Sequence, residues 1–264
     1  MDLTNNEKLN ALLSDNKSGS TDILIQLNSW LKNNITKLGN QDLYLQKIKS
    51  SLAHFQSVDT YLDDLTDLLK ENNKKKLFDF FQNKKLELNS VHKRIFDNGW
   101  SYFKDVDRVI TISNSHTVAQ FLINLYNQKR LKEIIVCESR PVMEGRLMAE
   151  KFLSKGIHVR LIIEASISAF LDSADAAIIG ADKILQDGSI INKIGSRQLA
   201  ILCKYFNIPL YVIADKSKFS NSDKFQQVER PDNEIWDFRH EKLKIENFYF
   251  EKIEKELIKK VISS

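Results

Sequence analysis

Apolar positions along this chain change their period near residue 105. Before that point they recur every three or four residues. Ile23, Leu24, Leu27, Trp30 and Leu31 form one stripe, and Leu52, Phe55, Val58, Leu62 and Leu65 continue it through the segment Leu43 to Leu69. Leu77, Phe78, Phe80, Phe81, Leu86, Val91, Ile95 and Phe96 mark a third long helix. Spacing of this kind places side chains on one helix face, so the stripes read as packing surfaces between helices.

After residue 105 the apolar residues gather into short β-branched runs: Arg108 to Ile112, Glu133 to Cys137, His158 to Ile163, Ala176 to Ile179 and Leu210 to Ala214. Helical patterns alternate with them over Thr117–Gln128, Glu144–Ser154, Ile167–Leu171 and Ser196–Tyr205. Continuous apolar strands alternating with helices predict a mostly parallel sheet covered on both faces. The expected class is therefore α/β, with a doubly wound domain over residues 101–264 behind a helical N-terminal domain over residues 1–100. The tail from Glu251 to Val261 also shows a helical pattern and is predicted to close the fold as a helix.

Composition adds mainly exclusions. At 264 residues, with 42% hydrophobic and 28% charged positions, the chain has the make-up of a soluble globular protein. Its 39 basic and 35 acidic residues leave a net charge of only +4, too even a balance to argue for nucleic acid. The run Lys74-Lys-Lys76 with Lys84 and Lys85 reads as a solvated helix face, and direct nucleic-acid binding is not expected. Cys137 and Cys203 lie far apart in apolar contexts, with neither a disulfide framework nor zinc-ligand spacing, as suits a reducing cytosol. No metal site is expected. Residues Met1 to Glu7 lack the basic and apolar blocks of a signal peptide. No apolar run approaches the ~18–20 residues of a membrane span. The expectation is a cytoplasmic protein without membrane contact.

The candidate chemistry lies where strands hand over to helices, the ends at which ligands bind in open α/β sheets. Gly180-Ala-Asp182 follows the fourth run, then an Asp187-Gly188 turn, then Asn192, Lys193 and Gly195 ahead of a helix. A lysine beside a helix start suits a phosphate. Ser113-Asn-Ser-His-Thr117 follows the first run, as a helix cap or as ligand contacts. Glu138-Ser-Arg-Pro141 and Glu144-Gly145 follow the second. Arg140 offers a planar fork for phosphate or carboxylate, or else a surface ion pair with Glu138. Glu164 follows the third run and forms with Asp182 a candidate carboxylate pair, one proton donor and one acceptor. His116 is read as facing solvent or capping its helix. Neither cysteine is placed for nucleophilic chemistry, and no glycine-rich dinucleotide fingerprint or P-loop occurs. No cofactor is called for.

Taken together, Glu138-Ser-Arg-Pro-Val-Met-Glu-Gly145, Gly180-Ala-Asp182, Asn192-Lys-Ile-Gly195, and Tyr211-Val-Ile-Ala214 with Lys218-Phe219 resemble the translation initiation factor 2B alpha/beta/delta family. That family includes methylthioribose-1-phosphate isomerases and ribose-1,5-bisphosphate isomerases. The resemblance spans roughly residues 90 to 250. It implies a Rossmann-like α/β domain, a helical N-terminal domain and a homodimer or larger assembly. It also implies a phosphorylated small-molecule ligand, with Lys17-Ser18-Gly-Ser20 loosely similar to the family's Arg-Gly substrate loop. The isomerases interconvert an aldose 1-phosphate and a ketose through a cysteine after the first strand and the aspartate of Gly-Ala-Asp. Asp182 matches the aspartate, and Ser113 falls in the cysteine position. A hydroxyl is a far weaker acid than a thiol near neutral pH. Glu164 stands where the family has aspartate, and Lys17 where it has arginine. The implied binding set is Arg140, Asn192, Lys193, Gly180, Glu164 and Ser18, with Asp182 and Ser113 as the catalytic positions. The resulting expectation is a protein that binds a sugar phosphate or nucleotide without cysteine-dependent isomerase chemistry. The alternative is an aldose–ketose isomerase acting on a ribose 1-phosphate-type substrate.

Overall fold

The computed structural model describes residues 7–129 and 131–264, so the signal-peptide reading of residues 1–6 lies outside the described residues. Helices α1 (Glu7–Leu13), α2 (Ser20–Asn34), α3 (Gln41–Ser51), α4 (Gln56–Lys70) and α5 (Lys74–Gly99) come first. Their starts follow capping chemistry: the Asn40 side chain accepts from Leu43 N, and Asn73 accepts from Lys75 N and Lys76 N. The stripe from Leu43 to Leu69 is broken rather than continuous. Backbone at Leu52 (φ −112°) and Phe55 (φ −102°) leaves the helical region, which separates α3 from α4 and frees His54 and Phe55 to face elsewhere.

The α/β part contains β1 (Arg108–Thr111), α6 (His116–Asn127), β2 (Glu133–Cys137), α7 (Gly145–Leu153), β3 (Val159–Ile162), α8 (Ile167–Leu171) and β4 (Ala176–Ile179). Next come β5 (Lys183–Ile184), β6 (Ile190–Lys193), α9 (Ser196–Tyr205), β7 (Leu210–Ala214), β8 (Phe250–Ile253) and β9 (Lys260–Ser263). Six strands form one parallel sheet in the order β3-β2-β1-β4-β7-β9. This is the Rossmann-like arrangement with helices on both faces. Alternation along each strand divides the core in two. Val109, Ile134, Val136, Ala176 and Ile178 face α5, α6 and α7, while Ile110, Ile135, Ala177 and Ile179 face α8 and α9.

The C-terminal tail corrects the sequence reading. Residues predicted as a helix from Glu251 to Val261 form β8 and β9 around a single 3-10 turn, Lys255–Leu257. Ile253, Leu257, Ile258 and Val261 do recur at helical spacing. The competing interaction is pairing: β8 runs antiparallel to β6, and β9 adds to β7 at the open edge of the main sheet. Ile262 then packs so closely on α5 that a Cβ on Gly99 would lie 2.6 Å from its Cγ2.

The helical and sheet parts share side chains. Phe81 of α5 belongs to the helical core, whereas Val91, Ile95 and Phe96 of the same helix belong to the sheet core. Tyr249, Phe250 and Ile191 from the α/β part complete the helical core. No helix among the described residues is long and apolar enough to cross a membrane.

Helix α7 begins hard against the end of β2. A Cβ on Gly145 would stand 1.9 Å from the Cys137 carbonyl oxygen, a backbone atom that cannot step aside. We therefore expect Gly145→Ala to lower stability by about 2–4 kcal/mol. Gly39→Ala, with nothing within 4 Å of its Cβ position, is expected to be nearly neutral. Urea denaturation of the two variants checks this, and equal stabilities would refute the close-packing account.

Candidate functional site

The strand order reverses between β1 and β4, because the chain runs outward through β2 and β3 and then returns to the other side of β1. Crossovers leave in opposite directions there, so a crevice opens beyond the carboxyl ends of those two strands. Ser113 follows β1 and Gly180–Asp182 follow β4. A cavity of about 200 Å³ occupies the crevice, with Ser113, Asp182, Glu144 and Lys193 at its base. The N-terminal loop Leu13–Gly19, the His54–Phe55 break and residues Arg230, Glu234, Tyr249 and Phe250 enclose it.

Ser113 takes a left-handed backbone conformation, φ 70°, uncommon for a residue with a Cβ. Its N–H donates to Ser139 Oγ at 2.8 Å, and that hydroxyl in turn donates to the Cys137 carbonyl at 3.0 Å. The Ser113 hydroxyl donates to Glu144 Oε1 at 3.1 Å. The same oxygen receives Lys193 Nζ at 2.9 Å, with side-chain exposures of only 2% for Glu144 and 7% for Lys193. Glu144 Oε2 is buried with no hydrogen-bond partner. Burial pushes the Glu144 carboxyl above its ordinary range, against the pull of Lys193.

Asp182 is the second acid of the cavity. Burial raises its pKa too, opposed by Lys218, Lys193 and a hydrogen bond from Ser20. Lys218 Nζ lies 3.8 Å from Asp182 Oδ1 and donates to Ser20 Oγ at the start of α2. Burial pushes the Lys218 ammonium down, with Asp182 and Asp215 resisting. Behind this group a smaller polar recess shares Ser113 and Asp182 with the main cavity and is lined by Gly180, Asn192 and Ser115. Gly180 lets Ser115 approach closely there, since a Cβ would lie 2.9 Å from Ser115 Oγ. Asn192 is buried and donates to Ser196 Oγ at 2.9 Å.

The wall from residue 15 to 19 is tied down by short bonds. Asp15 Oδ1 accepts from the N–H groups of Lys17 and Ser18, both at 2.9 Å, and Asn114 Nδ2 donates to the Lys17 carbonyl at 3.1 Å. The opposite wall is aromatic. His54 sits 4.0 Å from the Phe55 ring and 4.9 Å from Phe250, centroid to centroid. Lys193 Nζ and Arg230 Cζ approach the Tyr249 ring to 4.7 and 4.8 Å.

Of the residues singled out in the sequence, Ser113, Asp182, Lys193 and Ser18 line the main cavity, and Gly180 and Asn192 line the recess behind it. The structure does not bring Arg140 to either; its side chain is exposed. Nor does Arg140 pair with Glu138, whose partner is Arg146 at 2.9 Å. Glu164 lies outside both linings, and its carboxylate accepts the Ser139 N–H at 2.6 Å, bracing the loop after β2. The carboxylates that share the cavity are thus Asp182 and Glu144. His116 does not cap α6, and its side chain is half-buried. Ser115 is the cap, and His116 Nδ1 lies 2.7 Å from Asp22 Oδ1. Both cysteines are buried in the sheet core, which pushes the Cys203 thiol up to about 12 and Cys137 upward as well. Glu144 and Lys218 stood within motifs that were read for their neighbours. His54, Arg230 and Tyr249 come from distant segments with no local signal. Among the described residues no group of three or more His, Cys, Asp or Glu could hold a metal ion.

Comparison with known proteins bears on the family and the fold. Ribose 1,5-bisphosphate isomerase of Archaeoglobus fulgidus is 31% identical over 139 residues, 53% of this chain and 44% of that protein. Methylthioribose-1-phosphate isomerase of Bacillus thuringiensis is 37% identical over 142 residues, 49% of this chain and 40% of that protein. The matched segments thus span less than half the length of either relative. The crystal structure of the Pyrococcus horikoshii translation initiation factor eIF-2B superposes with a TM-score of 0.79 at 22% identity, covering 99% of this chain and 95% of that one, which establishes the shared fold. The profile of the initiation factor 2 subunit family matches residues 7–264, and the chain belongs to that family.

Proposed function

We propose that this protein binds a phosphorylated small molecule, a sugar phosphate or a nucleotide, at the carboxyl ends of β1 and β4, without cysteine-dependent isomerase chemistry. The observation that carries the reading is Ser113. By the resemblance it falls in the position of the isomerases' cysteine, and its hydroxyl, which donates to Glu144 Oε1 at 3.1 Å, is a far weaker acid than a thiol near neutral pH. Around it the ligand-gripping groups remain: Lys193 and Lys218 are buried cations facing a polar crevice, with backbone amides at the starts of α2 and α6 beside it. Residues Trp236 and Phe238, exposed and stacked at 4.6 Å, support assembly into a homodimer or larger oligomer. The cytoplasm is the compartment that suits two reduced, buried cysteines.

One observation favours a second reading, an active aldose–ketose isomerase. Burial holds both Asp182 and Glu144 above the ordinary carboxylate range, which suits a proton donor. In that case Asp182 handles the proton at the sugar oxygen, and Glu144 takes the part played elsewhere by the thiol.

Three outcomes follow. In a thermal-shift assay, ribose 5-phosphate, ribose 1,5-bisphosphate or a nucleoside monophosphate at about a hundred times its Kd should raise Tm by roughly 5–10 °C. Lys193→Met should remove that increment, whatever it does to the basal Tm; an unchanged increment would discard Lys193 as a ligand contact. Purified protein should turn over neither ribose 1,5-bisphosphate nor methylthioribose 1-phosphate. Turnover that Asp182→Asn abolishes would replace the binding reading with the isomerase one. The third outcome concerns His54, whose pKa is pushed down to about 3 by burial and by the charges of Arg230, Lys193 and Lys218. A depressed histidine favours the folded state above its unfolded value of 6.5, and that contribution is lost as pH falls from 6.5 toward about 3. Stability should therefore decline on acidification with a His54 share on the order of 1 kcal/mol per pH unit. Urea titrations between pH 6 and 4 should show a shallower decline in His54→Gln; identical slopes would contradict the assignment.

A further inference from the structure

We propose that Arg230 is the arginine that grips the anionic group of the ligand, a phosphate monoester, in this cavity. The proposal rests on the phosphate-binding reading above and names a contact for it that the sequence motifs did not. Arg230 lines the cavity, and its Nε is buried without any hydrogen-bond partner. No carboxylate pairs with its guanidinium among the described residues. The two buried cations of the crevice, by contrast, each have an acid beside them: Glu144 for Lys193 and Asp182 for Lys218. Glu234, an acid of the same cavity lining, is engaged with neutral donors instead, accepting from Asn16 Nδ2, Asn247 Nδ2 and the Tyr249 hydroxyl, and Asp232 is paired with Arg239.

The placement is built rather than accidental. Arg230 N donates to the Asn247 carbonyl at 2.9 Å, and Glu229 pairs with Phe248 in an antiparallel bridge. Asn247, itself buried, donates to the Pro231 carbonyl at 2.7 Å. These bonds fix the Arg230 backbone beside Tyr249, so that ring carries two cations, Lys193 and Arg230, each within 5 Å of its centroid. Like charges gathered on one ring raise each other's energy, and an anion between them removes that cost. Their combined field also reaches His54. A guanidinium supplies parallel N–H donors that match two phosphate oxygens, and no carboxylate among the described residues occupies those of Arg230. Arg140, the arginine of the strand-end motif, is exposed and stands outside the cavity.

Calorimetric titration with ribose 5-phosphate tests the proposal on wild type, Arg230→Gln, Arg230→Lys, Arg140→Gln and Lys193→Met. Arg230→Gln should weaken binding about 10- to 100-fold, the range for a lost charged hydrogen-bonded contact. Arg230→Lys should recover only part of this, and Arg140→Gln should bind as wild type does. Titration with ribose separates a phosphate contact from a structural one: its affinity relative to ribose 5-phosphate should change in Arg230→Gln. If Arg230→Gln keeps wild-type affinity while Lys193→Met loses it, the proposal falls and the cavity reading stands. Equal losses in Arg140→Gln and Arg230→Gln also overturn it, as the effect is then one of general charge. If Arg230→Gln does not fold, Arg230→Lys decides, and an unchanged Kd there rejects the fork. Wild type binding no ribose 5-phosphate removes both this proposal and the reading beneath it.

Discussion

Lys193 and Glu144 meet at 2.9 Å with almost no solvent around either, and the rest of the site is arranged about that pair. Two charges withdrawn from water are costly unless each satisfies the other and gains further hydrogen bonds. Here the pair joins the end of β6 to the residue preceding α7, and Glu144 also receives the Ser113 hydroxyl from the end of β1. Three separate chain segments are therefore held at one point. Removing either charge leaves the other buried, so the pair preserves the shape of the crevice as well as its electrostatics. The second pair, Lys218 with Asp182, repeats the arrangement on the β4 side and reaches the start of α2 through Ser20.

These pairs give the crevice a particular balance. Burial raises both acids and lowers Lys218, so each ionised group is retained by its partner rather than by solvent. A ligand anion entering such a site meets fixed cations whose counter-charges are poised to take up a proton. The same geometry accounts for the serine at the end of β1. Its strained backbone is retained by the Ser139 hydroxyl, and its side chain has become part of the Glu144 network. Family membership describes the scaffold; the chemistry of this member depends on what Ser113 and Glu144 do within it.

Much of the fold was legible along the chain because its strands are short, continuous and β-branched. Val109, Ile134 and Ile178 mark buried strands whatever they pair with. The break between α3 and α4 was not legible, because Leu52 and Phe55 keep helical spacing across it. The C-terminal strands were hidden for a related reason: Ile253, Leu257 and Val261 suit a helix equally well, and only free edges at β6 and β7 make extended pairing the better choice. Among the site residues, Asp182, Lys193 and Ser113 could be found because each directly follows or ends a strand. Arg140 and Glu164 obey the same rule yet lie outside the cavity, since a strand end fixes where the backbone goes and not where a side chain points.

The sequence by itself determined the period of each element, the strand-to-helix alternation and the polar residues at the strand ends, because these depend on neighbours within a few positions. Only the tertiary structure decided which acid faces the crevice, which arginine reaches it and which histidine is held neutral. Glu144, Arg230 and His54 lie about ninety residues apart on either side of one another in the chain. They share a cavity because strand order reverses between β1 and β4, and burial there raises the Glu144 carboxyl and lowers the His54 imidazole through groups that no local pattern could name.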